Sequence, residues 1–471
     1  MSTDCTLPQL ELQGVGGRRL VAQFDGGTIS SDGGALLLAA VERRRHLLAR
    51  FAACFEDFRD PAYVEHPMER LVAQRVLGVA LGYEDLVDHD ELRADPLLAA
   101  VLGSSDPEGR RRCQQRDRGH ALAGKSTLHR LEWGALEAAE EDRYRRIAVD
   151  PEAVDAFFVD AFLDSFEEPP LEIVLDLDAT DDPLHGAQEG RFFHGYYGCY
   201  CYLPLYVFCG DHLLCARLRR ADIDASAGSV EELDRIVGQI RAAWPEVSIL
   251  VRGDSAFARE ELMAWCEQHD VDYVFGLARN PRLEAALEPA LERAEALCAE
   301  SGEPERLYDE WMYSTQKSWS RERRVIGKAE ITRRGPNPRF VVTSLAAARA
   351  DAATVYERIY CARGEMENRI KEQQLYLFAD RTSARAMRVN QLRLWISSVA
   401  YLLLAELRRL GLEGSEMARA RCDTIRNKLL KIGARVRISV RRVTVSLASS
   451  CPFQGLFWHA WGKLARAGPV L

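Results

Sequence analysis

The stretch LEIVLDLDATDD at residues 171–182 is the part of the sequence that decides the fold class. Its apolar run predicts a buried β-strand that ends in acidic residues. Because side chains alternate along a strand, Asp176 and Asp178 share one face, and Asp181 and Asp182 lie beyond its end. A strand that ends in aspartates is typical of enzymes that hold a divalent metal ion.

The residues after this strand predict an alternation of strands and helices. YLPLYVFCG (202–210) and HLLCARLRR (212–220) are predicted to form a hairpin around a Gly-Asp turn. VSILVRGDS (247–255) is predicted to be a strand ending in Asp254, and YVFGLAR (273–279) another strand, each preceded by an amphipathic helix. The order β-β-β-α-β-α-β predicts an α/β fold, a mixed sheet with flanking helices.

Asp178 and Asp254 end strands that such a sheet can place side by side. Carboxylate oxygens at neighbouring strand ends can hold divalent cations, which prefer hard oxygen ligands. Two such ions about 4 Å apart can activate an attacking oxygen and stabilise the leaving oxygen of a phosphodiester. A third carboxylate, from a helix, would complete the site. Taken singly, each aspartate fits a strand-end turn residue as well.

Length and composition limit the class of protein. A chain of 471 residues with 47% apolar residues predicts two or three compact units. It has neither a run of eighteen apolar residues nor an N-terminal signal pattern, so we expect a soluble, cytoplasmic protein that does not contact a membrane. The twelve cysteines are scattered, and the C-x-C of Cys199 and Cys201 has no matching pair, so reduced thiols are expected rather than a zinc site.

Charge is unevenly distributed along the chain. The net charge is −9, but residues 317–339 contain eight basic and two acidic residues, which gives +6. Residues 381–442 contain fifteen basic and four acidic residues, which gives +11. Most of these basic residues are arginine, whose planar guanidinium suits contact with phosphate. The pattern favours nucleic-acid binding, although a genome rich in arginine codons would produce it too.

GHALAGKS at residues 119–126 matches the phosphate-binding pattern of ATPases at every position. No apolar run precedes it, so no buried strand can feed the loop, and the match is interpreted as a coincidence rather than as an ATPase site. The sequence instead predicts a loop that leads into a helix over 126–147. An alternative is a helix-turn-helix whose second helix meets DNA.

Five blocks of the sequence together resemble a known family. They are FDGGTISSDGGALLL (24–38), DLDATDDPLHG (176–186), RFFHGYYGCYCYLPLYVF (191–208), VRGDSAF (251–257) and YCARGEMENRIKE (360–372). The chain resembles DDE transposases of bacterial insertion sequences, in the group with a β insertion between the second and third acidic residues. It is most similar to the 1380 family of insertion sequences.

The resemblance implies a ribonuclease-H-like catalytic core interrupted by a mainly β insertion, with a helical N-terminal region. The implied division has five parts. These are a mainly helical DNA-end-binding region (1–165), the first part of the core (166–282), a β-rich basic insertion (283–350), the second part of the core with its acidic helix (351–412) and a basic C-terminal region (413–471).

The resemblance also implies the catalytic, metal-binding acids. Its D-x-T signature matches Asp178 and Thr180, and its second acid matches Asp254 in RGDSAF. The third acid is implied to be Glu367, with Glu365 as a weaker alternative.

The helical signature Y-x2-R-x3-E-x6-K of the family is matched except at its last position. Tyr360, Arg363 and Glu367 have the right spacing, but Gln374 stands where the signature has lysine. Lys371, one helical turn earlier, is the candidate to take over the phosphate-binding role. Arg363 and Glu367 are four residues apart, so both can face the active edge of the sheet.

Other residues are candidates for DNA contact. Trp319, between Lys317 and Arg321, is predicted to stack on an unpaired base near the cleaved end, the alternative being a packing role within the β unit. Further candidates for phosphate contact, which packing or solvation explains nearly as well, are His185, His194, Tyr196, Tyr197, Tyr200, Arg435, Arg437, Arg441 and Arg442.

The activity that the resemblance implies is phosphoryl transfer on double-stranded DNA. Two Mg²⁺ or Mn²⁺ ions would support cleavage at the terminal inverted repeats and transfer of the 3′-hydroxyl into target DNA. A homodimer in the synaptic complex and association with the bacterial nucleoid are implied as well. The alternatives are a ribonuclease-H-like DNA nuclease without strand transfer and an inactive, transposase-derived DNA-binding protein.

Overall fold

The structure, a computed structural model, describes residues 10–12, 20–134 and 146–466. Contacts divide the chain into two compact units. We call Ala53–Arg59 with Glu132–Ala405 the core unit, because it contains the strand that decides the fold class. The terminal unit combines the described residues within Met1–Ala52, Asp60–Leu131 and Glu406–Leu471.

A mixed sheet, nine-stranded in the described part of the chain, forms the centre of the core unit. The strand order is β3-β2-β1-β4-β5-β8-β7-β6, and a short strand, Gly335–Pro336, pairs with β7. β1, β4 and β5 are parallel, and all other pairs are antiparallel. The strands are β1 (Glu172–Ala179), β2 (Leu205–Cys209), β3 (His212–Arg217), β4 (Ser248–Gly253), β5 (Asp272–Leu277), β6 (Glu305–Tyr313), β7 (Arg323–Thr332) and β8 (Arg339–Thr343).

Alternation along β1 builds the main core. Ile173, Leu175 and Leu177 are buried on one face, within a cluster that also includes apolar residues of the flanking helices. Burying each of these side chains contributes about 1.5–3 kcal/mol. Asp176 and Asp178 consequently lie on the opposite face, as predicted. The principal helices of the unit are α1 (Pro151–Leu163), α2 (Ser229–Ala243), α3 (Glu260–Gln268), α4 (Pro281–Ser301), α5 (Gly364–Leu377) and α6 (Met387–Glu406).

The predicted hairpin is confirmed as β2 and β3, which are joined at Gly210 and Asp211. The predicted β-β-β-α-β-α-β order is also confirmed, from β1 to β5. From the sequence, the residues after the first strand are predicted to form a loop, but in the structure a small separate sheet lies between β1 and β2. Its strands are Asp182–Pro183, Phe192–His194 and Cys199–Tyr202.

The sequence RLEAALEPALERAEALCAE (282–300) predicts a helix that leads into the mainly β insertion, and this helix is confirmed as α4. The strands that follow do not form a separate sheet. β8 pairs with β5 through Val274↔Thr343 and Leu277↔Phe340, and β7 and β6 follow outward. We call β6, β7 and β8 the extension (Glu305–Thr343). The physical reason is that β5 would otherwise leave unpaired N–H and C=O groups at the sheet edge.

The terminal unit is mainly helical with a small sheet. From the sequence, RVRISVRRVTVSLA (435–448) is predicted to be a single strand. This prediction is wrong, because the chain reverses between Ser439 and Arg442 and forms a hairpin. Its principal helices and strands are Ala35–Arg45, Leu47–Ala52, Met68–Leu81, His89–Leu92, Pro96–Val101, Gln454–Arg466, Ile29–Ser30, Ala434–Ser439 and Arg442–Leu447.

The phosphate-loop match lies on a loop that enters the helix Lys125–Glu132, and no strand precedes it between Pro96 and Gly124. Lys125 Nζ is 3.0 Å from Asp90 Oδ2. The predicted helix over 126–147 is wrong at its far end, because Ile147 begins the strand Ile147–Val149. Residues 135–145 of that prediction lie outside the described residues.

None of the helices in the described ranges combines the length and the apolar character that crossing a bilayer requires.

Candidate active site

Asp178, Asp254 and Glu367 line one cavity of about 570 Å³ in the core unit. Asp178 lies near the end of β1 and Asp254 follows the end of β4. These strands are parallel neighbours with Asp176 opposite Arg252, so their carboxyl ends meet at one edge of the sheet. Glu367 enters the cavity from α5. The weaker alternative, Glu365, is exposed and is absent from the cavity wall as described.

Asp178 has a strongly raised pKa. Burial raises its pKa to about 7; Arg363 opposes this rise, and the charges of Asp254 and Glu367 add to it. Its Oδ1 accepts a hydrogen bond from the Ala179 N–H at 3.1 Å. A positively charged ligand beside Asp178 would therefore oppose the rise of its pKa, as Arg363 does.

Arg363 is shared between two of the acids. Its Nη2 is 3.1 Å from Glu367 Oε1, one helical turn away, and its Nη1 is 3.9 Å from Asp178 Oδ1. All three side chains therefore interact, although one residue lies on a strand and two lie on a helical segment. The guanidinium orients both carboxylates toward the cavity.

The helical segment that carries Arg363 is irregular at this point. Thr354–Tyr360 forms a π-helix and Cys361–Arg363 a 3₁₀ turn before α5 begins. Such interruptions occur frequently at functional sites. The carbonyl of Ile359 accepts a hydrogen bond from Arg252 Nη1 at 2.7 Å.

Arg252 connects this helical segment to the sheet. Its Nε and Nη2 donate to the two carboxylate oxygens of Asp176, each at 2.7 Å. Asp176 is therefore engaged in a buried ion pair, whereas Asp178, two residues later on the same face, lines the cavity. We did not single out Arg252 from the sequence. The available signal was an arginine within the apolar run VSILVRG, on the strand predicted beside β1.

Tyr360 packs behind the cavity rather than in its described wall. A Cβ atom at Gly276 would lie 2.5 Å from Tyr360 Oη and 2.9 Å from the Ser255 N. Glycine at this position on β5 therefore permits the close approach of Tyr360 and of the turn after Asp254.

Gln374 and Lys371 both line the cavity. Gln374 Nε2 donates to the Asp181 carbonyl at 3.2 Å and to Asp182 Oδ1 at 3.0 Å. Burial raises the pKa of Asp182 to about 8, and the hydrogen bond from Gln374 only partly offsets this effect. Gln374 therefore hydrogen-bonds to the buried carboxyl group of Asp182. Lys371 is exposed, and its phosphate-binding role stays a prediction.

The predicted base-stacking group lies elsewhere in the core unit. Trp319 is half-buried, its ring meets Tyr313 edge-on at 5.6 Å, and the Arg323 guanidinium lies 5.4 Å from its centroid. Lys317 and Arg321 are exposed, with Arg321 Nη1 3.6 Å from Glu267 Oε2. The described cavity wall includes none of Lys317, Trp319 and Arg321.

Aromatic side chains and one further arginine complete the wall. His194, Tyr196 and Tyr197, three of the further candidates for DNA contact, do line the cavity. Arg259 also lines it, and its Nη2 donates to Asp224 Oδ2 at 2.9 Å. Sequence reasoning missed Arg259, because an arginine at the start of a helix has no distinguishing pattern.

The donor set of the cavity suits a hard divalent cation, since all three acids offer oxygen. In their present rotamers, Glu367 bonds to Arg363, and Asp254 Oδ1 accepts from the Ala256 N–H at 2.8 Å. Accordingly, no group of three His, Cys, Asp or Glu side chains within the described ranges is arranged to hold a metal ion. The three acids share a cavity without forming a closed ligand cluster.

Comparison with known proteins gives a result that agrees with this arrangement. A family model described as transposase DDE domain group 1 matches residues 12–469, nearly the whole chain. A search of curated proteins finds no match. The match extends over both units and includes all three cavity acids, and we conclude that the chain belongs to the family of transposases with a DDE domain, group 1.

Proposed function

We propose that this transposase cleaves DNA at the ends of a mobile element and transfers the freed 3′-hydroxyl into target DNA. The observation that carries the proposal is the convergence of Asp178, Asp254 and Glu367 on one cavity beside Arg363. Family membership already implies DNA as the partner and a nucleic-acid-processing enzyme. Cleavage and strand transfer are the finer activities proposed here.

A ribonuclease-H-like core is part of the proposal. It is supported by the strand order β3-β2-β1-β4-β5, in which β2 is antiparallel to β1, and β4 and β5 are parallel to it. This fold would need two acids at the ends of β1 and β4 and a third acid on a helix, which is the placement of the three cavity acids. The likeness to the 1380 family of insertion sequences remains a resemblance.

Asp178, Asp254 and Glu367 would hold Mg²⁺ or Mn²⁺, and we propose two ions. The bound ions would activate the attacking oxygen and stabilise the leaving oxygen of the phosphodiester. Asp178, whose pKa burial raises to about 7, would then be held in its charged form. Glu367 would exchange its contact with Arg363 for the cation, which leaves the Arg363 guanidinium available for a DNA phosphate.

The remaining residues of the cavity would position DNA. Lys371 extends from the same helix as Glu367 and is free of ion pairs in the part of the chain that the structure describes. Tyr360 supports the turn that carries Asp254. The terminal inverted repeats and the target duplex are the proposed substrates, and a homodimer is the proposed synaptic form.

The test uses the full chain with a plasmid that carries the gene and its flanking DNA. In Mg²⁺ we expect double-strand breaks at the ends of the element, and we expect Asp254→Asn to abolish them while its duplex binding persists. A second assay supplies pre-cleaved ends and a target plasmid. Joined products support the transposase, and cleavage without joining would indicate a nuclease. Binding without cleavage in the wild type would indicate an inactive DNA-binding protein.

A further inference from the structure

The C-terminal hairpin of the terminal unit, strands Ala434–Ser439 and Arg442–Leu447, has two chemically distinct faces. Ala434 and Val436 are buried and pack in a small cluster with Leu97. The buried face explains why the hairpin holds its register. The opposite face contains Arg435, Arg437, Ser439, Arg442, Thr444 and Ser446, paired across the strands as 435↔446, 437↔444 and 439↔442.

The outward face is positively charged and lacks internal partners. Arg435, Arg437, Arg441 and Arg442 are all exposed. Across the described ranges, none of these four guanidinium groups has an ion pair or a hydrogen bond to a side chain or carbonyl. Arg435 lies against the backbone of Gly27 instead.

The surrounding sequence lacks any acid that could neutralise this face locally. Asp423 is the last acidic residue of the chain, and nine lysine or arginine residues follow it. The chain as a whole has a net charge of −9, so this segment departs sharply from the average. Serine and threonine hydroxyl groups beside the arginines add hydrogen-bond donors of the kind that contact phosphate oxygens.

We propose that the outward face of this hairpin binds the phosphate backbone of duplex DNA, as a site separate from the catalytic cavity. The inference rests on the proposed function for its choice of duplex DNA among phosphate-bearing partners. A two-stranded ribbon has strands about 4.8 Å apart, and the major groove, about 12 Å wide, admits one. Guanidinium groups recur every second residue along a strand, so several can contact one groove wall together.

The tip of the hairpin fits the same partner. Val440 is fully exposed at the turn and has Arg441 as its neighbour. A small apolar tip flanked by arginine can approach base edges in the groove while the arginines contact phosphates on either side. The hairpin would therefore supply binding strength through phosphates, and only its tip would approach bases.

The experiment measures binding of the full-length protein to a fluorescent duplex by anisotropy, at several salt concentrations. The test variant is Arg437→Gln/Arg442→Gln. The matched control, Arg333→Gln/Arg334→Gln, removes the same charge from an exposed turn of the core unit. We expect the hairpin variant to bind about tenfold more weakly or worse, and the slope of log Kobs against log salt to decrease by about 1.8, from two lost phosphate contacts.

Three results would overturn the inference. An equal loss in both variants would show that binding follows total charge rather than the hairpin. Wild-type duplex binding by the hairpin variant would remove the site altogether. Loss of binding to phosphatidylglycerol vesicles with unchanged duplex binding would assign the face to lipid. Thermal melting of each variant within about 2 °C of wild type excludes unfolding as the cause, because surface substitutions of this kind change stability little.

The cleavage and binding assays together distinguish failure of the hairpin inference from failure of the proposed function. If the wild type never cleaves DNA but the hairpin variant still loses duplex binding with the reduced salt slope, the hairpin inference stands alone. If the wild type cleaves and the hairpin variant binds and cleaves equally well, only the hairpin inference fails.

Discussion

The proposed catalytic edge, where Asp178 and Asp254 lie at the ends of β1 and β4, belongs to the same sheet as the extension. Both regions contain charged side chains, but the charges are compensated differently. At the catalytic edge, burial raises the pKa of Asp178 to about 7, since Arg363 does not offset burial and two neighbouring acids. In the extension, the Arg323 guanidinium hydrogen-bonds to Glu260 and Glu267. These contacts outweigh burial and lower the pKa of both glutamates.

This contrast separates charged side chains that stabilise the fold from charged side chains that are available to bind a ligand. A buried ion pair with complete hydrogen bonds is closed to further partners. A cavity lined by three acids can accept a cation, and an arginine face without ion pairs can accept an anion. Basic residues in the described ranges thus include paired ones, such as Arg323 in the extension, and unpaired ones, such as Arg437 on the C-terminal hairpin.

The largest effect is expected on DNA cleavage, when an acid is removed from the cavity at the catalytic edge. Glu367→Gln removes one cavity acid, and we expect DNA cleavage to fall by more than about 100-fold, the upper range for losing a group that merely orients a metal ligand. Glu365→Gln, on the same helix but outside the described cavity wall, is the matched control. We expect it to stay within about twofold of wild type, as for an ordinary surface change. Comparable losses in both variants would contradict the assignment of Glu367.

The next largest effect is expected on stability, when the buried arginine of the extension is removed. Arg323→Met removes the buried guanidinium that hydrogen-bonds to Glu260 and Glu267, so we expect the free energy of unfolding in urea to decrease by about 1.5–3 kcal/mol. Cleavage per folded molecule should change little. Arg321→Met is the control, since this exposed residue is 3.6 Å from Glu267 and should contribute less than about 1 kcal/mol. Equal destabilisation by both variants would contradict the buried pairing.

A third effect concerns Asp182, a buried acid near the catalytic edge whose pKa is raised from 3.8 to about 8 by burial. Between these values the folded state binds more protons than the unfolded state, so stability decreases as pH rises. The slope for one group is at most about 1.4 kcal/mol per pH unit.

Asp182→Asn should flatten the decline of the free energy of unfolding between pH 5 and pH 8. The readout is the difference in slope between wild type and variant, because the uncharged amide also leaves a buried donor that lowers stability at every pH. Parallel profiles for the two proteins would show that Asp182 titrates normally.

The smallest effect tests the predicted stacking residue. Trp319 packs against Tyr313 and Arg323, so Trp319→Leu should lower the free energy of unfolding by about 1–2 kcal/mol and leave cleavage within about twofold of wild type. Tyr196 is exposed and lines the cavity, so Tyr196→Leu is the variant compared with Trp319→Leu in the same cleavage assay. If Trp319→Leu keeps its fold but loses end cleavage, stacking on an unpaired base would be supported instead.

Sequence reasoning located the parts of the core unit accurately. The β-β-β-α-β-α-β order, the hairpin turn at Gly210 and the shared face of Asp176 and Asp178 all follow from local patterns. Periodicity and turn chemistry act over a few residues, so they can be recognised without knowledge of the rest of the chain. The strand after residue 147 and the reversal at Val440 were missed, because polar, arginine-rich segments have weak periodicity.

Local sequence patterns identify the residue types that could act, namely strand-end aspartates, the helical Arg363–Glu367 pair and the arginine-rich terminus. Which of these side chains are available for a ligand depends on the folded neighbours of each one. Two residues apart on one strand, Asp176 faces Arg252 and forms a closed ion pair, whereas Asp178 lies at the sheet edge and remains open. Long-range neighbours decide whether a charge is compensated, and electrostatic interactions depend on distance and burial, which a linear pattern does not contain.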